Sequence, residues 1–176
     1  MRRSLLVVLL VFSVAGCQPS SDWTPIQSPA AAPNFTLPQL TGDPVSLEAF
    51  RGHPVIMEFW ATWCGPCHYS TPSLEAIYRE HRNRGVSVLL INEGESAQAL
   101  RTWVKGRFTA PILLDDEGRV AALYGVTGLP TLIVVDRDGR IRYARSGYSG
   151  GLEQNLRRIM NDLLAAAPAE AHGGSR

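Results

Sequence analysis

Pro54-Val55-Ile56-Met57-Glu58-Phe59-Trp60-Ala61-Thr62-Trp63-Cys64-Gly65-Pro66-Cys67 runs from an apolar stretch into two cysteines separated by two residues. Its first seven residues have the β-branched and aromatic content of a buried strand, interrupted by one acid, Glu58. From Pro66 to Arg84, Leu74, Ile77 and Tyr78 fall on one helical face, and Gly85 ends the pattern. The cysteines therefore stand where a strand hands over to a helix, a setting in which Cys-x-x-Cys reads as a redox pair. Two intervening residues let both sulfurs meet across the first helical turn. Cys64, at the helix N-terminus, is favoured as a thiolate by unpaired N–H groups and the helix dipole, which makes it the expected nucleophile. Cys67, more buried, is expected to resolve the mixed disulfide. Pro66 suits a first turn because the N–H it lacks would have no helical partner there.

Glu58 lies six residues before Cys64, inside the apolar strand. Burial disfavours its charged form and brings its proton exchange toward neutral pH. Its expected task is to take the proton of Cys67 when that thiol attacks.

On either side of this segment the pattern alternates. Phe35-Thr36-Leu37 and Val45-Ser46-Leu47 predict a small hairpin around Thr41-Gly42-Asp43-Pro44. Val86–Ile91 and Ile112–Leu114 read as strands, with a helix between them capped by Ser96. Val120–Tyr124 predicts a short helix stopped by Gly125. Thr131–Val135 and Ile141–Tyr143 predict two strands joined by the turn Asp136-Arg137-Asp138-Gly139, and Leu152–Ala167 an amphipathic helix. Strands alternating with helices and closed by a hairpin and a helix indicate one α/β domain on a mixed sheet.

The chain has 176 residues, 19% of them charged, and a net charge of +1. This excludes a disordered acidic chain, a collagen-like repeat and a strongly basic nucleic-acid binder. Three cysteines, at 17, 64 and 67, are too few for a disulfide scaffold.

The N-terminus reads as an address. Met1-Arg2-Arg3 is cationic, Leu5 to Val14 is apolar, and Ala15-Gly16 leads into Cys17. This is the order of a secretory signal, and the run is too short to span a bilayer, which takes about 20 residues. Val14-Ala15-Gly16-Cys17 resembles a bacterial lipobox, which implies cleavage before Cys17 and lipidation of that cysteine. Residues 1–16 are then signal peptide, and loss of Arg2 and Arg3 leaves 15 basic against 16 acidic residues. No nucleic-acid partner is expected from that balance. Residues 17–33, with prolines at 19, 25, 29 and 33, read as an extended tether. Residues 34–167 read as the domain and 168–176 as a disordered tail.

Phe59-Trp60-Ala61-Thr62-Trp63-Cys64-Gly65-Pro66-Cys67 resembles the active-site segment of thioredoxin-fold proteins. Glu58 stands where thioredoxin has its acid, Pro72 where it has a helix-kinking proline, and Gly128-Leu129-Pro130-Thr131 matches its cis-proline loop. The signal, the hairpin from Ala32-Pro33-Asn34-Phe35 and the segment Asn92-Glu93-Gly94-Glu95-Ser96 are similar to TlpA/ResA-like thiol-disulfide oxidoreductases. That segment marks the helix-strand unit those proteins insert into the minimal fold. The resemblance implies a thioredoxin-like domain with Cys64, Cys67, Glu58 and Pro130 in the reaction. It places Trp63, Gly65, Pro66, Gly128 and Leu129 against the substrate. Some members carry a glutamate three residues after the second cysteine; here that position is Ser70, which leaves Glu58 as the relay candidate.

Other readings of the same residues exist. Cys64-Gly65-Pro66-Cys67-His68 is also the c-type haem pattern, with His68 and a methionine such as Met160 as axial ligands. Haem attachment leaves the entering strand, Pro66, Pro72 and Gly128-Leu129-Pro130 unexplained. A zinc site would need a second ligand pair, and His53, His81 and His172 are scattered. A thioredoxin-fold peroxidase or metal carrier is a further alternative. A purely structural disulfide closing so short a loop would stabilise little. The reading adopted is a dithiol oxidoreductase with no metal and no dissociable cofactor. Gly65-Pro66 matches thioredoxin, at about −270 mV, rather than the oxidant DsbA at about −120 mV. The activity expected is that of a reductase or disulfide isomerase, and the family resemblance implies a DsbD- or CcdA-like membrane donor and an exported disulfide, such as that of apocytochrome c, as substrate.

Overall fold

The computed structural model describes residues 23–166. The signal segment, Cys17 and the tail 168–176 lie outside the described residues. The hairpin is β1 (Thr36–Leu37) against β2 (Val45–Ser46), followed by a 3-10 turn over Leu47–Phe50. The main sheet holds β3 (Val55–Trp60), β4 (Ser87–Glu93), β5 (Ile112–Asp115), β6 (Thr131–Val135) and β7 (Ile141–Ser146) in the order β5-β4-β3-β6-β7. β3, β4 and β5 run parallel, and β6 and β7 pair antiparallel beside them. Among the described residues the helices are α1 (Cys67–His81), α2 (Ala97–Val104), α3 (Arg119–Leu123) and α4 (Leu152–Ala165). α2 and β5 are the expected inserted unit. The architecture is thioredoxin-like, with the N-terminal hairpin added.

β3 is the central strand, and all six of its residues are buried because both sheet faces are covered. Alternation divides it. Val55, Met57 and Phe59 join the cluster under the hairpin and α3, with Phe35, Leu37 and Val120. Ile56 and Trp60 join the cluster under α1, α2 and α4, with Leu74, Ile77, Leu100 and Leu156. Glu58 shares that second face by its position between them.

Helix α1 ends earlier than its periodicity suggests. From Arg82 the chain tightens into a 3-10 turn, and Gly85 closes it at φ 87°, a left-handed conformation that glycine adopts without a Cβ clash. Trp60, fully buried, packs against half-buried Trp103 with ring centroids 5.3 Å apart.

The expected tether is corrected in its described part. From Trp23 onward the chain lies against the edge strand β7. Ile26 donates to the Arg142 carbonyl (2.8 Å), Ile141 to Ala30 (2.9 Å) and Ala32 to Gly139 (2.8 Å), around an antiparallel bridge between Ala31 and Arg140. Trp23 is buried in the α1/α4 cluster, edge-on to Tyr143. Pro25, Pro29 and Pro33 discourage regular structure, but the Ile26 and Ala32 N–H groups between them still pair with an open strand edge. The opposite edge is covered as well: Leu40 donates to Ile112 and Leu114 to Pro38 beside β5. The domain therefore begins by Trp23, not at 34.

Candidate active site

The motif turn follows directly from β3. Cys64 N–H bonds the Ala61 carbonyl (3.2 Å), and Cys67 opens α1 with Pro66 at the cap position in helical geometry. Cys64 and Cys67 are joined as a disulfide, their Cα atoms 5.3 Å apart. The Cys67 N–H lies 3.3 Å from the Cys64 sulfur. The same N–H also donates to the Cys64 carbonyl (3.1 Å), so it is shared between the two acceptors, and in the reduced state the sulfur share favours negative charge on Cys64. Cys64 is 5% exposed and Cys67 fully buried, an asymmetry that suits one sulfur for attack and the other for resolution.

Beneath the first turn of α1 sits Glu58, fully buried. The Ser70 hydroxyl donates to Glu58 Oε1, and Ser70 lies three residues after Cys67 on the same helix face. Glu58 Oε2 and the Thr71 hydroxyl have no hydrogen-bond partner among the described residues. Burial pushes the Glu58 carboxyl up to about 8, with the Ser70 and Thr71 hydroxyls pulling the other way. Ser70 thus belongs to the site although it lacks the acid found there in some relatives. Its hydroxyl supplies a donor to the buried Glu58 carboxyl.

The turn itself is held by a residue that motif reading missed. Glu95 accepts from the Thr62 N–H (2.7 Å), the Thr62 hydroxyl and Asn92 Nδ2 (2.8 Å). Burial opposes its charge, but these bonds outweigh it and keep the carboxyl below the ordinary glutamate range. Glu95 therefore links the inserted unit to the residue two before Cys64. The only sequence signal for it was a glutamate one residue before the Ser96 cap, which periodicity cannot assign.

Across the site, the Leu129–Pro130 peptide is cis, as the resemblance implied. Thr131 pairs with Phe59, so this loop stands beside the end of β3 that leads to Cys64. Gly147 N–H bonds the Pro130 carbonyl (2.7 Å), and Thr131 Oγ1 bonds the Gly128 carbonyl (2.7 Å). Leu129 is partly buried between the two cores. Pro66, Tyr69, Gly147 and Tyr148 line an open groove, with Tyr69 and Tyr148 stacked at 5.7 Å. Gly65 is exposed, and adding a Cβ there would meet nothing within 4 Å. Trp63, the residue before Cys64, is 72% exposed. Tyr69 and Tyr148 were absent from the sequence reading; their contact joins α1 to the loop after β7, which no local pattern marks.

His68 is exposed, with Nε2 2.8 Å from the Thr62 carbonyl and its ring against Trp103. Met160 is fully buried in the core. The two do not converge as axial haem ligands would, and both motif sulfurs are bonded to each other.

A reactive pair at a helix head, an acid buried beneath it and a cis-proline loop alongside define a thioredoxin-fold thiol-disulfide oxidoreductase. The chain belongs to the AhpC/TSA family, whose model matches residues 29–144. It is 33% identical over 131 residues to the thiol-disulfide oxidoreductase ResA of Bacillus thuringiensis subsp. konkukian, covering 73% of this chain and 76% of that one. With ResA of Geobacillus kaustophilus it shares 31% over 151 residues, covering 84% and 86%. Among solved structures, a protein of Chlorobium tepidum proposed to be the thiol:disulfide interchange protein DsbE superposes with a TM-score of 0.72. The identity is 28%, over 77% of this chain and 96% of that one. No helix among the described residues is long and apolar enough to cross a membrane.

Proposed function

We propose that the protein is a membrane-tethered, extracytoplasmic reductase of protein disulfides. The observation that carries this is the Cys64–Cys67 pair at the head of α1, with its more accessible sulfur beside the Cys67 N–H and the Glu58 carboxyl buried beneath. The Cys64 thiolate attacks one sulfur of a substrate disulfide, and the other sulfur leaves as thiolate. Cys67 then gives its proton to ionised Glu58 and attacks Cys64 Sγ, releasing the second substrate thiol. The substrate gains two electrons and the protein keeps the Cys64–Cys67 disulfide. The electron carrier is the dithiol itself, with no metal or dissociable cofactor. A carboxyl near 8 is ionised in only about one molecule in ten at pH 7, enough to accept a proton and return it to the substrate thiolate.

Trp63, Gly65, Pro66, Gly128, Leu129 and Pro130 form the surface the substrate would meet. Exported apocytochrome c disulfides suit such a reductase, as the similarity to ResA suggests, and a DsbD- or CcdA-like membrane protein would return the dithiol form. Lipidated Cys17 would supply the anchor.

Cys67→Ser tests the chemistry. Incubated with a disulfide-bonded protein, it should accumulate a mixed disulfide through Cys64, while Cys64→Ser should neither trap nor turn over substrate. Full activity in Cys64→Ser would refute the mechanism. Cys17→Ser should move the protein from the membrane fraction to the soluble one; unchanged association would assign the anchor to the apolar leader instead.

A further inference from the structure

The strap formed by residues 23–32 has a direction. Ile26 pairs at Arg142 and Ala32 at Gly139, so the chain runs antiparallel to β7. Moving toward the N-terminus along the strap means moving toward the C-terminal end of β7. Trp23 accordingly lies beneath Arg145, whose guanidinium stands 5.9 Å from the ring centroid. Arg145 pairs with Leu132 and Ser146 with Thr131, next to the cis-proline loop, and Leu132 pairs with Glu58. The chain therefore enters the domain at the end of the sheet that carries Cys64, and not at the opposite end, where the Asp136–Gly139 turn lies.

Only five residues separate Cys17 from Trp23. Fully extended, that interval spans at most about 20 Å. A tether free as far as Pro33 would reach about 50 Å and leave the domain unoriented. The same end of the domain exposes Trp63, next to Cys64 in the chain, and Tyr69 and Tyr148, which line the open groove with Pro66. Trp and Tyr, with an apolar body and a polar tip, are suited to a boundary between apolar and wet surroundings.

We propose that the strap holds the active-site end of the domain toward the bilayer, so that the protein acts on disulfides of polypeptides presented at the membrane surface. This rests on the anchoring proposed above. The aromatic edge then meets polypeptide emerging from, or attached to, the same membrane, and a disulfide deep in the aqueous compartment is reached poorly.

Energy transfer to an acceptor lipid measures the orientation. The full-length lipidated protein in vesicles would carry a dye, through a non-cysteine handle, at Gly150 or at Asp138. Both positions are exposed, and they lie beyond opposite ends of β7, which is about 20 Å long. Transfer from position 150 should exceed that from 138 at least twofold. A 20-residue Gly/Ser insertion between Asp22 and Trp23 should abolish the difference while leaving the protein on the vesicles. Equal transfer from the two positions, or stronger transfer from 138, overturns the proposal. So does a difference that survives the insertion, which would assign orientation to the aromatic edge alone. Protein that elutes apart from the vesicles refutes the anchoring reading instead, and Cys17→Ser eluting in the same way identifies that failure.

Discussion

Glu58 and Glu75 are both almost completely buried on the α1 side of the sheet, yet the protein treats them in opposite ways. Glu58 has hydroxyls for donors, Ser70 bonding Oε1 and Thr71 also favouring its charged form, and is pushed up to about 8 by burial. Glu75, on α1 itself, is surrounded by donors. It accepts the Thr109 N–H (2.9 Å), the Ala110 N–H (3.0 Å), the Thr109 hydroxyl (2.7 Å) and Arg79 Nε (2.6 Å). Burial opposes its charge as well, but these bonds outweigh it and hold the carboxyl below the ordinary range. The difference lies in the donors supplied to each acid and in depth: Glu58 sits within the central strand, whereas Glu75 lines an open groove beside Pro72 and Trp103 and draws two backbone N–H groups. A carboxylate saturated by N–H groups is a structural pin that fastens the loop before β5 to α1. A carboxyl left undersupplied keeps a proton affinity close to that of a thiol, which is what an exchange with Cys67 requires.

The largest effect is expected from Glu58→Gln, which keeps the shape and removes the proton site. Release of substrate from the Cys64 mixed disulfide should slow by about 10²-fold or more at pH 7, while formation of that mixed disulfide stays nearly unchanged. Stopped-flow kinetics that separate the two steps would show it, and equal slowing of both would break the contrast by making Glu58 structural. Stability gives an independent sign. A carboxyl whose folded value is raised from 4.5 to about 8 binds more protons in the folded state across that interval. Its favourable contribution is complete below about 4.5 and is lost as pH rises through 8. Wild type should therefore lose stability between pH 5 and 9 relative to Glu58→Gln, by a few kcal/mol in total. Urea melts at the two pH values would measure it.

Glu75→Ala should do the reverse. It leaves the buried Ala110 N–H unpaired and takes the acceptor from the exposed Thr109 N–H and hydroxyl, a loss of about 2 kcal/mol. The shift should appear in the urea midpoint at pH 7. The rate of the isolated Cys64 attack should change less than threefold, since no bond from Glu75 reaches the motif. The sign of the pH dependence is also opposite to that of Glu58. Because the folded value is lowered, the contribution of Glu75 is present above the ordinary range and lost as pH falls through the folded value.

These two acids also show what the sequence could and could not display. β3, the helix behind it and the hairpins were legible because face alternation and helical periodicity are local, and the cysteine spacing fixes its own geometry. Glu58 was legible because a lone acid in an apolar strand has few places to go. Glu75, Glu95 and Ser70 were not, because their partners lie 34, 33 and 12 residues away and no periodicity reports a bond across elements. The strap failed for another reason. Proline content described what its backbone avoids, whereas its fate was decided by an open edge at β7 that exists only after folding. Trp23, a large aromatic inside a proline-rich stretch, was the one available sign that the segment is not a free spacer.

The finest division between the two acids lies in the single bond from Ser70. Its hydroxyl donates to Glu58 and so favours the ionised carboxylate, working against burial. Ser70→Ala removes that donor without adding bulk. The folded value of Glu58 should rise further, and the pH at which the resolving step reaches half its limiting rate should rise with it. The change corresponds to about 1 to 2 kcal/mol, the strength of one bond to a charged acceptor. Ser70→Thr, which restores a hydroxyl at the same Cβ, should recover much of the profile. If the profile of Ser70→Ala is displaced toward lower pH, the hydroxyl stabilises the protonated acid instead. Glu58 would then owe its high value to Ser70 as well as to burial, and the contrast with Glu75 would no longer be one of too few donors.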